Sequence, residues 1–327
     1  MRIIPNSESP VLPSPFGLRH FYEKRNKVCI VCSAFAGIGD FLMMRMMFDD
    51  FKRISPEIKI TLATIFPEKR YDFLADHPSI DEFVPAPIDY TEYGMVYDVT
   101  NAPMRYEYSV APFSGDHRSD VYAASCGVSL TTHDMHFTLS EKTKQRGKSK
   151  LDDYCSDYSK PRVAFCPRSN IANKNLNESQ MRAAVDAIRD HDAFVFGIHN
   201  KPIVELARMQ VPVLYDMDLQ TWMGVVNAID YMVAVDTSNF YLAGGMGKPL
   251  TGIFAWADGK VYGKYFNLEL VQKHRDNGNW PCGPCFHYEV CPKTKEFLKP
   301  CITELTSEEI ANGIHRMFAR YPHYNLA

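Results

Sequence analysis

Almost uninterrupted apolar runs alternate along this chain with longer segments of helical composition. The first run, KVCIVCSAF at 27–35, is typical of a parallel strand that is covered on both faces. A segment of helical length, FLMMRMMFDDFKRI, comes next, and IKITLATI at 58–65 is a second buried run. Strand, helix and strand in this order predict a right-handed crossover unit. The apolar pieces EFVPAP and GMVYDVT, and a predicted helix SDVYAASCGV ending at Gly127, complete a first α/β domain.

The same alternation starts again in the second half of the chain. The predicted strands are PRVAFCP, AFVFGI, VPVLYD, YMVAVD and PLTGIF, and the predicted helices between them are NESQMRAAVDAIRDH, NKPIVELARMQ, TWMGVVNAI and NFYLAGGMGK. This pattern indicates a second doubly wound domain. Ligands of such sheets bind outside the carboxyl ends of the strands, so we expect the site in a cleft between two facing domains.

Breaks in the pattern predict the domain boundaries. Residues 1–26 carry four prolines and little periodicity, which indicates an irregular N-terminal arm. The polar, basic segment EKTKQRGKSK at 141–150 is interpreted as a linker. The predicted units are therefore a first α/β domain at 27–145, a second α/β domain at 146–303, which includes the cysteines at 282–301, and a terminal helix at 304–327. Thr306 or Ser307 is the predicted N-cap of that helix.

Composition limits the classes of function. The chain has 327 residues, 46% of them hydrophobic, which is enough for two cores. A formal net charge of −3 provides no general attraction to phosphate backbones, so nucleic acid is not the expected partner, although a local basic patch is compatible with that total. We find no signal-peptide pattern and no apolar window of the length that spans a bilayer, and therefore expect a soluble, cytoplasmic protein.

Two strand ends carry candidate chemistry. In GIGD, Gly37 and Gly39 permit a sharp turn or a close approach of the backbone to a ligand, and Asp40 begins the following helix. The alternative interpretation is that Asp40 merely caps that helix. In AVDTSNFYLAGGMGKP, an aspartate and two hydroxyl residues, Asp236 to Ser238, precede a helix whose free N-terminal amides can hold a diphosphate. The alternative interpretation is that Asp236 only caps the helix and that the helix only packs against the sheet.

These motifs resemble glycosyltransferase family 9, the heptosyltransferases. GIGDFLMM is similar to the first strand-to-helix motif of the family, AVDTSNFYLAGGMGKP to its donor motif DTG-x-x-HLA-x-x-x-GKP, and CGPCF with the later cysteines to its C-terminal cysteine segment. The resemblance implies two facing Rossmann-like domains, the GT-B architecture, with a small cysteine finger. It also implies an inverting enzyme that uses a nucleotide-activated sugar, usually ADP-heptose.

The resemblance assigns roles to individual residues. Asp40 would be the catalytic base, which takes the proton from the acceptor hydroxyl as that hydroxyl attacks the anomeric carbon. Lys174, in SNIANKNL, resembles the family lysine that contacts the donor, where a cation would offset charge on the departing diphosphate. Without the resemblance, Lys174 would be interpreted as a solvated loop lysine.

The donor motif contains both matches and departures. Asp236 and Thr237 match its first two residues, and the amides from Ser238 to Leu242 are expected to face the diphosphate, with no catalytic metal. Ser238 replaces the usual glycine and Tyr241 the usual histidine. A tyrosine cannot carry the positive charge of a histidine, so the substitution bears on donor contacts and donor identity.

Cysteines and histidines offer possible metal ligands. Cys282, Cys285, Cys291 and Cys301 form C-x2-C-x5-C-x9-C, which suits one tetrahedral structural ion, zinc before iron, with disulfides or reduced thiols as the alternative. His133 and His136 in TTHDMHF have a spacing compatible with a metal site but are more simply ordinary surface residues.

Three functions follow as hypotheses. The leading one is an inverting heptosyltransferase acting on a hydroxyl of a lipopolysaccharide core sugar, another glycan or a protein. The second is a transferase that glycosylates modified DNA, as some bacteriophage enzymes do, which only the basic segment from Lys142 to Lys150 supports. The third is a degenerate family member that acts as a binding or scaffold protein, which the substitution at Tyr241 permits.

Overall fold

A computed structural model describes residues 24–32, 37–64, 74–110, 115–155, 157, 159–255, 257–273, 290–291, 294–297 and 299–322. The chain divides into two compact units. The first takes in the described parts of Met1–Ser109 and Asp116–Thr138, and the second those of Val110–Gly115 and Leu139–Ala327.

The first unit is built on a parallel sheet. Its strands are β1 (Lys27–Cys32), β2 (Lys59–Thr64), β3 (Glu82–Pro85) and β4 (Met95–Asp98). Its helices are α1 (Ile38–Met44), α2 (Phe48–Ile54), α3 (Ala102–Val110), whose last residue is counted with the second unit, and α4 (Arg118–Ser125). A 3₁₀ turn, Arg45–Met47, joins α1 to α2. The helical segment predicted after β1 is therefore present, in two parts.

The second unit is larger and repeats the same plan. Its strands are β5 (Arg162–Cys166), β6 (Phe194–Ile198), β7 (Val213–Leu214), β8 (Tyr231–Val235), β9 (Leu250–Phe254) and β10 (Leu268–Gln272). Its helices are α5 (Glu141–Asp152), α6 (Glu178–Arg189), α7 (Val204–Arg208), α8 (Leu219–Ala228), α9 (Ser238–Gly245), α10 (Gly259–Tyr262), α11 (Pro300–Thr303) and α12 (Ser307–Arg320).

Strand order determines where each sheet can bind a ligand. The order is β3-β2-β1-β4 in the first sheet and β10-β9-β8-β5-β6-β7 in the second, with all neighbouring strands parallel. The second order is that of a Rossmann fold, whose direction of winding reverses between the first and fourth strands. The crevices therefore lie at the carboxyl ends of β1 and β4 in one unit and of β5 and β8 in the other. The predicted α/β class with two parallel sheets is confirmed.

Burial explains the uninterrupted apolar runs. Every residue of β5, β8 and β9 is buried, because helices cover both faces of a parallel sheet. The predicted cap of the last helix is also confirmed. Thr306 accepts a hydrogen bond from the Glu309 amide, and the Glu309 carboxylate accepts one from the Thr306 amide. Within the described parts of the chain, no helix combines the length and apolar character needed to cross a bilayer.

The predicted linker at 141–150 is instead part of helix α5, so that prediction was wrong. Ser140 caps the helix, and its buried residues, Thr143, Gly147 and Leu151, form one stripe at i, i+4 and i+8. The stripe packs on α8, where a Cβ added to Gly147 would lie 1.8 Å from the backbone carbon of Gly224. Two of the three stripe residues are small or polar, so the segment lacks the hydrophobic periodicity of an ordinary amphipathic helix.

Candidate functional site

Asp40 lies at the crevice of the first sheet, in the first turn of α1. Gly37 is the N-cap of the helix, and the Asp40 carboxylate accepts a hydrogen bond from the Gly37 amide through Oδ2 at 2.9 Å. A Cβ on Gly37 would come within 3.3 Å of that oxygen, so the absence of a side chain there leaves the carboxylate its place. Gly39 is the second residue of α1. The capping role of Asp40 is thus real, and it occupies one of the two carboxylate oxygens.

The other oxygen of Asp40 is bound by a residue that sequence reasoning missed. Arg118 Nη1 donates to Asp40 Oδ1 at 2.6 Å. The same guanidinium donates to both oxygens of Glu107, from Nε at 2.6 Å and from Nη2 at 2.8 Å. Both residues come from the segment after β4, the strand that flanks the crevice beside β1. The signal in the sequence that could have indicated Glu107 and Arg118 was their position after β4, a strand of the same sheet as β1.

Lys174 and Asp236 meet at the crevice of the second sheet. Lys174 ends a 3₁₀ turn after β5, and Asp236 directly follows β8. Lys174 Nζ and Asp236 Oδ2 are 2.7 Å apart, and the Tyr241 hydroxyl donates to Asp236 Oδ1 at 2.8 Å. Tyr241 is thus a hydrogen-bond donor where the family has histidine, and a neutral hydroxyl serves to hold the aspartate. Neither contact follows from sequence alone.

Helix α9 begins directly after this aspartate. Thr237 is its N-cap, with a hydroxyl 3.4 Å from the Asn239 amide, and Ser238 is its first residue. The first amides of a helix have no partner within the helix and carry partial positive charge. Leu242 is fully buried, and its amide lies deeper in the helix, where amides bond to the preceding turn. The Phe240 amide donates to the Thr237 carbonyl at 3.0 Å, so the amide that remains available to a ligand in this first turn is that of Ser238.

The loops beside Lys174 add positive potential to this edge of the sheet. Arg168 follows β5 and is paired with Glu205, and Lys201 follows β6. Between them lies His199, whose pKa is lowered by burial and further by the charges of Arg168 and Lys201. Burial is the main cause of this lowered pKa, and the smaller contribution of the two cations indicates positive charge near the ring. Positive charge there favours an anionic ligand at the carboxyl ends of β5 and β6.

The comparison with protein families agrees with this geometry. The sequence model described as glycosyltransferase family 9 (heptosyltransferase) matches residues 116–294, more than half of the 327 residues. The chain belongs to glycosyltransferase family 9. It is a glycosyltransferase, and the resemblance drawn from its motifs is confirmed. No curated protein sequence matches the chain.

Solved structures of the family share the fold at low sequence identity. A family 9 glycosyl transferase from Veillonella parvula has a TM-score of 0.65 at 12% identity, covering 89% of this chain and 97% of its own. E. coli ADP-heptose lps heptosyltransferase II has a TM-score of 0.60 at 12% identity, covering 90% and 99%. The iron-containing heptosyltransferase TibC, from enterotoxigenic E. coli, in complex with ADP-D-β-D-heptose, has a TM-score of 0.64 at 11% identity, covering 93% and 80%.

The lysine that ends the family 9 donor motif lies away from the crevice. Lys248 precedes β9 and Asp230 precedes β8, so both residues are at the opposite edge of the sheet from Asp236. Lys248 is buried, and burial lowers its pKa to about 8 against the opposing effect of the Asp230 charge. In this glycosyltransferase the motif thus spans both edges of the sheet, and only its first half can contact a ligand in the crevice.

The histidines of TTHDMHF are not a metal-binding pair. His136 joins Asp49 and His77 in a group whose ligand atoms lie within 4.8 Å of one another, here called the histidine cluster. His136 Nδ1 is 2.8 Å from Asp49 Oδ2, while His133 is exposed. His77 Nδ1 accepts the Ser79 amide at 3.2 Å, so the neutral ring carries its hydrogen on Nε2. Since a protonated nitrogen cannot ligate a metal, this tautomer argues against a metal site.

The structure describes half of the four-cysteine cluster. Cys291 is buried and Cys301 is half-buried. Cys282 and Cys285 lie outside the described residues, as does most of the predicted cysteine finger. The Lys295 amide donates to the Cys291 carbonyl and the Cys291 amide donates to the Glu296 carbonyl, each at 2.8 Å.

Proposed function

We propose that this glycosyltransferase transfers a heptose from ADP-heptose to a hydroxyl of a glycan or a protein, with inversion at the anomeric carbon. The observation that carries the proposal is the network of Lys174, Asp236 and Tyr241 at the crevice of the second sheet. That crevice is where Rossmann-like sheets bind nucleotides. The solved structure of TibC, which shares the fold, contains ADP-D-β-D-heptose and supports the choice of donor.

The second unit would bind the donor and stabilise the leaving group. Asp236 is held by Tyr241 on one oxygen and by Lys174 on the other, so the Lys174 ammonium is anchored beside the first turn of α9. An ammonium and helix-start amides both favour the negative charge that builds up on a departing diphosphate. The Thr237 hydroxyl and the Ser238 amide complete this set of donors. The proposal needs no catalytic metal.

The first unit would supply the base. An inverting transfer requires a carboxylate that accepts the proton of the acceptor hydroxyl. Asp40 is suited to this role because its side chain keeps 17% of its exposure at the crevice of the first sheet. Each of its oxygens has two lone-pair positions, and among the described residues one hydrogen bond is made to each oxygen, which leaves a second position on each. The acceptor hydroxyl would be bound there.

Release of ADP from ADP-heptose by the purified full-length protein tests the proposed activity. The assay is run without an acceptor and with a panel of lipopolysaccharide core glycans and protein acceptors. We expect the turnover of ADP-heptose to exceed that of UDP- and GDP-sugars. Inactivity with every nucleotide sugar would instead favour the scaffold function. Preference for a UDP- or GDP-sugar would contradict the choice of ADP-heptose while leaving glycosyl transfer intact.

The DNA-modifying alternative rested on a basic segment that was interpreted as a linker. The basic segment on which it rested is helix α5, which packs on α8, and two of its cations are engaged in ion pairs, Lys144 with Glu141 and Arg146 with Asp218. Addition of DNA that contains hydroxymethylated bases to the same ADP-release assay tests this alternative directly. We expect no stimulation.

We also propose that the four clustered cysteines hold one structural ion, zinc or iron. The spacing supports a tetrahedral thiolate site, and TibC is described as iron-containing. Burial of Cys291 suits a ligand thiolate, because a closed structural site excludes water. Elemental analysis of the protein purified under reducing conditions should give one equivalent of metal, absent from Cys291→Ser and retained in Cys126→Ala. Full metal content in Cys291→Ser would contradict the site.

A further inference from the structure

The Asp40 carboxylate is held by a guanidinium that is itself held on its other side. Arg118 uses Nε and Nη2 for the two oxygens of Glu107, and Nη1 for Asp40 Oδ1 at 2.6 Å. A guanidinium is planar, so a bidentate contact along one edge determines the direction in which the remaining nitrogen points. Glu107 is 3% exposed and therefore has little freedom to move.

The backbone of Arg118 is also fixed relative to the helix that carries Asp40. Arg118 opens α4, where His117 Nδ1 accepts the Ser119 amide at 3.1 Å. The Ser119 hydroxyl donates to the carbonyl of Met43, one turn after Asp40 in α1, at 2.6 Å. His117 and Ser119 are both fully buried. The start of α4 is thus attached to α1 through Ser119, the residue directly after Arg118.

The charges of the group distinguish two roles for Arg118. A free arginine in a crevice would suit an anionic group of the acceptor. Here one guanidinium faces two carboxylates, and Nε, Nη1 and Nη2 each donate to one of them, so an anion that approached this guanidinium would be repelled by both carboxylates. The geometry therefore favours an action on Asp40 over direct binding of an anionic acceptor.

We propose that Arg118, clamped by Glu107, is a positioning residue that orients the Asp40 carboxylate toward the acceptor hydroxyl. This inference rests on the proposed role of Asp40 as the base. Proton transfer depends first on geometry, and a displacement of about 1 Å can lower a rate about a hundredfold. With Oδ2 bound to the Gly37 amide and Oδ1 to Arg118, the plane of the carboxylate is fixed at both ends.

A double-mutant cycle with Asp40→Asn tests the inference. The readouts are the rate of ADP release from ADP-heptose and the donor Kd measured by calorimetry. We expect Arg118→Met to lower the rate about 10- to 100-fold with an unchanged donor Kd, and to cause no further loss in the Asp40→Asn background. Arg118→Lys, which keeps the charge but not the fork, and Glu107→Gln should have intermediate rates.

Arg53→Met is the matched control, because Arg53 also pairs with a carboxylate of the first unit, that of Asp50, at 2.9 Å. The rate of ADP release by Arg53→Met should stay at the wild-type value. If Arg118→Met fails to fold, the same cycle is measured with Arg118→Lys. A wild-type rate in the folded Arg118 variant, or an equal loss with and without Asp40→Asn, would overturn the positioning role alone. A wild-type rate for Asp40→Asn would instead reject the base assignment, and this inference with it.

Discussion

His77 shows how one buried imidazole can link stability to pH. Its ring packs edge-on against Phe48 with centroids 5.3 Å apart, and its Nδ1 accepts the Ser79 amide. Burial, helped by the charge of Arg45, lowers its pKa to about 4. Its Nε2 is buried without a hydrogen-bond partner in the described part of the chain. A second proton, which would have to go onto Nδ1 and break the bond from the Ser79 amide, is therefore disfavoured in the folded state.

The sign of the pH effect follows from that shift. Between pH 6.5 and about 4 the unfolded chain takes up a proton at His77 and the folded chain does not, so the free energy of unfolding falls as the pH drops. His77→Asn keeps an acceptor, Oδ1, at the position of Nδ1 but cannot be protonated. Between pH 7.5 and 5.0 we expect the wild type to lose on the order of 2 kcal/mol more than this variant.

Denaturant unfolding at the two pH values measures the difference. The variant also lacks the ring contact with Phe48, so the comparison is between the pH-dependent changes and not between absolute stabilities. His133→Asn, at an exposed histidine of the same unit, is the control and should keep the wild-type dependence. Equal losses in the wild type and His77→Asn would show that another group carries the acid sensitivity.

Helices α5 and α8 pack against each other at a pair of glycines. A Cβ on Gly147 would lie 1.8 Å from the carbonyl carbon of Gly224, and a Cβ on Gly224 would lie 2.2 Å from the Thr143 carbonyl oxygen. Both obstacles are backbone atoms, which cannot move aside by changing a rotamer. The close approach of these two helices therefore depends on the absence of side chains at both positions.

Gly147→Ala should consequently separate the helices. Overpacking of this kind destabilises proteins by about 1–3 kcal/mol, and a backbone obstacle places this site at or above the upper end, even though alanine has the higher helix propensity. The exposed position Ser149 in the same helix provides the control, since Ser149→Ala should change the free energy of unfolding by less than about 0.5 kcal/mol. Equal stability of the two variants in urea would refute the packing argument.

At the level of the whole chain, the proposed function divides the work between the two units. Donor binding depends on Lys174 and Asp236 in the second unit, and proton transfer on Asp40 in the first. Asp40→Asn should lower turnover of ADP-heptose about a hundredfold to ten-thousandfold and leave the donor Kd unchanged. The asparagine has one acceptor oxygen, so it can keep the bond from the Gly37 amide but loses the ion pair with Arg118, and stability should fall by no more than about 1 kcal/mol.

Lys174→Met should instead weaken donor binding, which Asp40→Asn is expected to leave unchanged. Loss of a hydrogen bond to a charged group weakens binding by roughly 1.5–3 kcal/mol, so we expect the donor Kd to rise about 10- to 100-fold. Lys160→Met removes a lysine that is paired with Asp192 and lies two residues before β5, at the edge of the sheet away from the crevice. This variant should bind ADP-heptose as the wild type does. A donor Kd that responds to Asp40 and not to Lys174 would reverse the assignment of the two units.

Local features of the sequence were sufficient to predict the fold class. Apolar runs predicted the strands because residues of a parallel sheet are buried on both faces, and the helical segment after β1 and the cap at Thr306 were found from local spacing. GIGD and DTS were placed correctly at strand ends, since the end of an apolar run is itself a local signal. Helix α5 was not predicted, and its segment was interpreted as a linker. Its packing depends on the contact between Gly147 and Gly224, which are 77 residues apart in the sequence.

The sequence by itself determined the two α/β units, the order of their elements and the positions of Asp40, Lys174 and Asp236 at strand ends. Only the tertiary structure decided which side chains meet there. Lys174 contacts Asp236 across 62 residues, and Arg118 contacts Asp40 across 78. Periodicity and capping depend on neighbours within one turn or one strand, whereas these ion pairs depend on strand order, which places segments distant in sequence at the same crevice.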